Sequence, residues 1–179
     1  MFKDFKPIFV ILLRFMLIYL AFLGLYQFYL NTQKDDLDVL SKWVLEQVIW
    51  LLNVLGHDSK IVYQPEYQTG WIFVDGDYRS RMVEGCNAVS VIILFLAFIF
   101  AFYKGKKTFV FAIVGLFILH IMNVLRIAGL NIVFTDYPQY SKTAHNYFFP
   151  AAIYGSVVLL WLIWIKFFAL KNRKDEKNH

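Results

Sequence analysis

Residues 108–130 read TFVFAIVGLFILHIMNVLRIAGL, a 23-residue run whose apolar character is broken chiefly by His120, Asn123 and Arg126. A helix that crosses a bilayer needs about 20 mostly apolar residues. The stretch therefore predicts a membrane span, and the other apolar runs are read around it. Upstream, residues 88–103 are apolar apart from Ser90, but at 16 residues the run is short unless the residues before it also dip into the bilayer. Downstream, residues 147–170 read as a last span, with Pro150 near its start and Lys166 near its end. Residues 7–30 read as a first span with Arg14 as its single charge. Lys3 and Lys6 precede it as they would in a signal peptide, yet the apolar run is too long and no small-x-small cleavage site follows before Asn31-Thr32, so it is read as uncleaved. The expectation is one domain over residues 1–179: an all-α polytopic membrane protein, a four-span helical bundle.

Composition excludes the other classes. The chain is 59% hydrophobic, 20% aromatic and 17% charged, whereas a soluble domain is about 45–50% apolar and about 25% charged. Such a chain is too apolar for disorder, and a single cysteine rules out an intrachain disulfide framework. The net charge of +5 belongs to no basic groove, so the expected partner is the lipid bilayer and not nucleic acid. With the N-terminus inside the cell, residues 1–6, 104–107 and 166–179 are cytoplasmic and carry 10 Lys/Arg against 3 acids. Residues 31–85 and 127–145 are then outside, with 6 Lys/Arg against 10 acids. This is the positive-inside pattern. It predicts a multi-pass protein of the inner (cytoplasmic) membrane with both termini in the cytoplasm. The basic tail, residues 171–179, reads as a topology anchor that contacts lipid headgroups.

The outer loop, residues 31–85, has structure of its own. Residues 43–56 are mostly apolar but include Glu46, Gln47 and Asn53. Runs this short lie on or dip into a membrane more often than they cross it, and a crossing would break the charge pattern. They are read as an interfacial or membrane-dipping fifth helix. Residues 60–63, 71–74 and 78–83 are rich in β-formers, with Asp75-Gly76-Asp77 as a turn. They predict a small extracytoplasmic β-hairpin leading into the second span.

Three residues carry the chemistry. Cys86 falls at the outer end of the second span, Arg126 near the outer end of the third, and His145 just before the fourth. A thiol, a fixed cation and an imidazole at one depth suffice for acyl transfer: the thiolate attacks a carbonyl, the imidazole shuttles a proton, and the guanidinium steadies negative charge. Each also has a plainer reading. A lone cysteine near a membrane is commonly a small apolar filler, although a free thiol on the oxidising side is unusual. Glu-Gly-Cys-Asn-Ala is also a polar lead-in to a helix, whose N-terminus favours a thiolate. Arg126 could snorkel to the interface, yet ionisable groups within spans usually face a polar interior. Asn123, three residues earlier, shares its helix face; it could orient the guanidinium or bond a neighbouring helix. His145 could be an ordinary interfacial histidine. His120 lies about 9 Å deeper than Arg126 and roughly 120° off its face, so it ranks below His145 and reads as a polar link between helices. His57 and His179 read as solvent-exposed. Arg14 either snorkels inward or pairs within the bundle. With no HExxH, no CxxC and no outer His pair, neither a metal nor a cofactor is implied.

Glu84-Gly85-Cys86-Asn87-Ala88-Val89-Ser90 at a span start, Asn123-Val124-Leu125-Arg126-Ile127 at a span end, and His145 before a last span resemble the exosortase/archaeosortase family. The resemblance runs from about residue 60 to 170. The short, Phe-rich chain is similar to the small F-type exosortases of Bacteroidetes. The sequence departs from the family where the cysteine is followed by Asn87-Ala88 in place of Ser-Gly or Ala-Gly, and where the glycine after His145 falls at Gly155. The resemblance implies a membrane cysteine transpeptidase or protease, with Cys86 as nucleophile, His145 as acid/base, and Arg126 as stabiliser of the thiolate or oxyanion. Its implied substrates are membrane-anchored proteins whose C-terminal sorting signals join a short motif, an apolar helix and a basic tail. The competing reading is a non-catalytic membrane scaffold or assembly subunit, in which Arg126 and Asn123 are helix-packing polar residues and Cys86 is filler.

Overall fold

The computed structural model describes residues 2–33 and 36–169. The expected basic tail, residues 171–179, and His179 with it lie outside the described residues. Among the described residues six α-helices run in the order α1 (Phe2–Asn31), α2 (Val39–Val54), α3 (Val89–Ala101), α4 (Lys106–Asp136), α5 (Ser141–Thr143) and α6 (Phe149–Trp164). Three strands lie between α2 and α3: β1 (Ser59–Gln64), β2 (Thr69–Val74) and β3 (Asp77–Met82). Among the described residues three helical stretches are long and apolar enough to cross a membrane: Ile8–Asn31, Lys106–Asp136 and Pro138–Phe168. α3 is the short one. Its 13 residues rise about 20 Å, against about 30 Å for a hydrocarbon core.

α3 occupies the middle of the bundle. It is apolar on every side, as a helix covered all round must be. α1 runs antiparallel along it, with Phe15 against Phe98 and Tyr26 against Asn87. Phe98 stacks on Trp161 of α6, ring centroids 4.4 Å apart. On the α4 side, the ring of Phe95 fills the space over Gly115, where any Cβ would collide with it. The helix termini then sort themselves: the end of α1, the start of α3, the end of α4 and the start of α6 share one end of the bundle.

α4 is longer than the sequence reading. It continues past Leu130 to Asp136, and its 31 residues span about 46 Å. The second half of α4 carries the rest of the fold. α2 is capped by Asp38, whose carboxylate accepts from Ser41 N–H at 3.0 Å. It buries Val44, Leu45, Val48 and Leu52 in one core with Ile72, Val74 and Met82 of the sheet and Val124, Ile127 and Ala128 of α4. Trp50 and Val54 are exposed on its other side. α2 runs beside the second half of α4: Gln47 meets His120 at 2.8 Å, and beyond the helix end His57 Nε2 lies 3.8 Å from Asp136. All three β-rich stretches are strands, so the sheet is a three-stranded antiparallel meander, larger than the expected hairpin. Asp75 and Gly76 both take positive φ, 54° and 87°, as the two-residue turn between β2 and β3 requires.

Candidate active site

The chain leaves β3 at Met82 and turns sharply before α3. Gly85 has φ +86° and Ala88 φ +59°, and Cys86 N–H donates to Val83 O at 3.1 Å. Cys86 sits two residues before the helix cap Ala88, so it belongs to the elbow and not to the first turn of α3. Asn87 holds that elbow. Its buried side chain accepts from Val89 N–H at 3.0 Å and donates to Tyr26 Oη at 3.0 Å and Ser41 Oγ at 3.1 Å. The departure from the family's small residue after the cysteine thus has a local purpose: one amide accepts from the first N–H of α3 and ties α1 and α2 to the elbow.

α4 supplies the second part. Asn123, fully buried, donates from Nδ2 to the Cys86 carbonyl at 3.1 Å, and its Oδ1 accepts from Arg126 Nη1 at 3.3 Å. Both roles considered for Asn123 are therefore real: it bonds the neighbouring segment and orients the guanidinium.

His145 arrives by a helical irregularity. Pro150 has no N–H, and in an α-helix its ring would clash with the carbonyl four residues back. Residues Ala144–Phe148 widen into a π-helical turn, in which Phe149 N–H bonds Ala144 O. Such single-turn widenings recur at functional positions. His145 is exposed, with Nδ1 3.0 Å from Asn146 Oδ1.

Cys86, Arg126 and His145 line one cavity of about 340 Å³. Its walls are β3 and the following residues on one side, and α4 with the His145 turn on the other. Among the described residues no hydrogen bond joins the three directly; Asn123 mediates between the cysteine's backbone and the arginine. Two wall residues escaped the sequence reading. Ser80 Oγ donates to Asn131 Oδ1 at 2.8 Å, and the buried Asn131 donates to Ile127 O at 2.9 Å. Asn131 follows Asn123 by two helical turns on the same buried stripe, a periodicity hidden when the helix is ended at Leu130.

The other candidates lie elsewhere. His120 bonds Gln47 and stacks on Trp43, 4.4 Å between centroids, linking α4 to α2. Arg14 is on the exposed side of α1. His57, expected in solvent, has a side chain only 17% exposed. It bonds Asp75 at 2.9 Å, and Asp136 lies on its other nitrogen. The His57 bond, more than any other influence, holds the Asp75 carboxyl below the usual carboxylate range.

Three long apolar helices, a short enclosed one and a cavity at their shared end define a polytopic helical membrane protein. Residues 6–168 match the transmembrane exosortase family model (Exosortase_EpsH). The chain belongs to that family. Comparison with curated proteins and with solved structures gave no match.

Proposed function

We propose that this exosortase is a membrane cysteine transpeptidase or protease that cleaves C-terminal sorting signals from exported proteins. The observation that carries the reading is that Cys86, Arg126 and His145, from three separate elements, line one cavity. The Cys86 thiolate attacks the scissile carbonyl carbon, and Arg126 stabilises the negative charge that gathers on its oxygen. The C–N bond breaks as His145 gives a proton to the departing amine. An incoming amine or water, relieved of its proton by His145, then attacks the thioester and frees the sulfur. The charge pattern supports four passes, with α3 as the second, both termini in the cytoplasm and the cavity at the outer face of the cytoplasmic membrane. Chain length and phenylalanine content support a place among the small F-type members.

Cys86→Ala, Cys86→Ser, Arg126→Ala and His145→Ala are expected to insert normally and leave a co-produced sorting-signal protein unprocessed. Normal processing by all four would overturn the reading. The scaffold alternative draws on Asn123, which bonds the Cys86 backbone and Arg126 as packing residues do. It expects Arg126→Ala to weaken insertion or assembly and Cys86→Ser to do little. Orientation is tested separately: a membrane-impermeant thiol reagent should reach Cys86 from outside intact cells, and labelling from the cytoplasmic side alone would reverse it.

A further inference from the structure

Four successive residues, Ser80, Arg81, Met82 and Val83, line the cavity. Side chains of a strand alternate between its two faces. Ser80 and Met82 lie on the face that holds Ile72, since Ser80 pairs with Ile72 and Met82 with Gly70; Arg81 belongs to the other face. A wall containing both parities runs along the strand's edge. β3 is an edge strand, paired with β2 alone in the order β1-β2-β3.

The direction of the main-chain groups follows from the ladder. Met82 O accepts from Thr69 Oγ1 at 2.6 Å, so it faces β2. In an antiparallel pair, alternate residues turn N–H and C=O to opposite sides. Arg81 therefore turns both groups away from β2, toward the cavity. Among the described residues nothing outside the ladder bonds to them. The lining includes Arg81, Arg126 and His145 but no carboxylate, so the wall complements the carbonyl oxygens of a peptide. The three strand residues Ser80–Met82 extend about 10 Å, room for a peptide stretch of similar length.

We infer that the free edge of β3 binds substrate by strand addition: an extended stretch of the exported protein, on the acyl side of the scissile bond, pairs with the Arg81 main chain and is delivered to Cys86. Strand addition takes its affinity from main-chain hydrogen bonds, and an unpaired edge is a template for such pairing. Holding the acyl half serves the second step, because that half stays on sulfur after the membrane-anchored half departs. The inference rests on Cys86 being the nucleophile.

The test uses the full chain in detergent with acetyl-tetraalanyl chloromethyl ketone, read by mass as the Cys86 adduct formed when sulfur displaces chloride. Chloroacetone carries the same reactive group without a peptide. The tetrapeptide reagent is expected to alkylate Cys86 at least tenfold faster. Singly N-methylated versions are expected to slow the reaction at alternate positions, by about fivefold for one lost hydrogen bond, and to leave the intervening positions unchanged. Arg81→Pro, which removes an N–H that the ladder does not use, should slow the peptide reagent further than Arg81→Ala, which removes the guanidinium and keeps the main-chain donor; equal slowing by the two would overturn the main-chain pairing. Faster peptide labelling that is insensitive to every N-methyl group would overturn strand addition and leave the Cys86 reading standing. Peptide labelling no faster than chloroacetone would overturn strand addition, whereas failure of both reagents to alkylate Cys86 would overturn the Cys86 reading as well.

Discussion

Asn123 Nδ2 lies 3.1 Å from the carbonyl oxygen of Cys86, and the same amide's Oδ1 lies 3.3 Å from Arg126 Nη1. One buried side chain thus sets the position of a backbone at the start of α3 and of a cation on α4. The cysteine and the arginine are registered to each other through Asn123.

Asn123→Ala removes both bonds at once. A buried carbonyl left without a donor costs about 1–3 kcal/mol, and 1 kcal/mol shifts the melting temperature of a chain this size by about 2–4 °C. The variant is expected to melt several degrees lower in detergent and to process substrate at least tenfold more slowly. A melting temperature unchanged within a degree would show that the amide carries no strain-free registration.

Gly115→Ala tests the seat of α3. The added methyl meets the ring of Phe95, which is fully buried. Overpacking of this kind costs about 1–3 kcal/mol. Thermal unfolding should show the loss, and Phe95→Leu in the same chain should recover part of it. A double variant less stable than the sum of its singles would contradict the contact.

Pro150→Ala restores an N–H to the last helix. The π turn over Ala144–Phe148 is then free to rewind as α-helix, which rotates His145 relative to the cavity by about one residue, roughly 100°. The melting temperature should hold or rise while processing falls at least tenfold. Unchanged processing would mean that the bulge does not aim the imidazole.

The Asp75–His57 contact gives a pH dependence. The folded Asp75 carboxyl ionises more readily than an unfolded one. Its contribution is therefore complete above the ordinary carboxylate value near 4 and is lost as pH falls through the lower folded value. Asp75→Asn keeps an acceptor and tolerates the positive φ but cannot ionise. The stability advantage of the native chain over this variant should shrink on acidification below about 4. A constant gap down to pH 3 would rule out the assignment.

Long apolar runs and local polar spacing were legible because both are properties of neighbours in sequence. The run over residues 108–130 announced α4, the three-residue step from Asn123 to Arg126 put them on one face, and Asp75-Gly76 announced its turn. What stayed hidden depends on distant partners. Asn131, Thr135 and Asp136 look like a loop until Ser80 and His57 come to meet α4. His57 reads as a surface residue because its partners come from other elements. Pro150 signals a disturbance in the last helix, but not that a wide turn places His145 at the cavity. The residue after the cysteine reads as a departure from the family until Tyr26 and Ser41 reveal its use.

α1 carries a 24-residue apolar stretch, none of whose most apolar window is buried, yet Tyr26 on it grips Asn87 beside the thiol. The outermost helix of the bundle and the segment that carries the thiol are thus joined by a single phenol–amide contact, so whatever shifts one end of α1 is felt first at the residue next to Cys86.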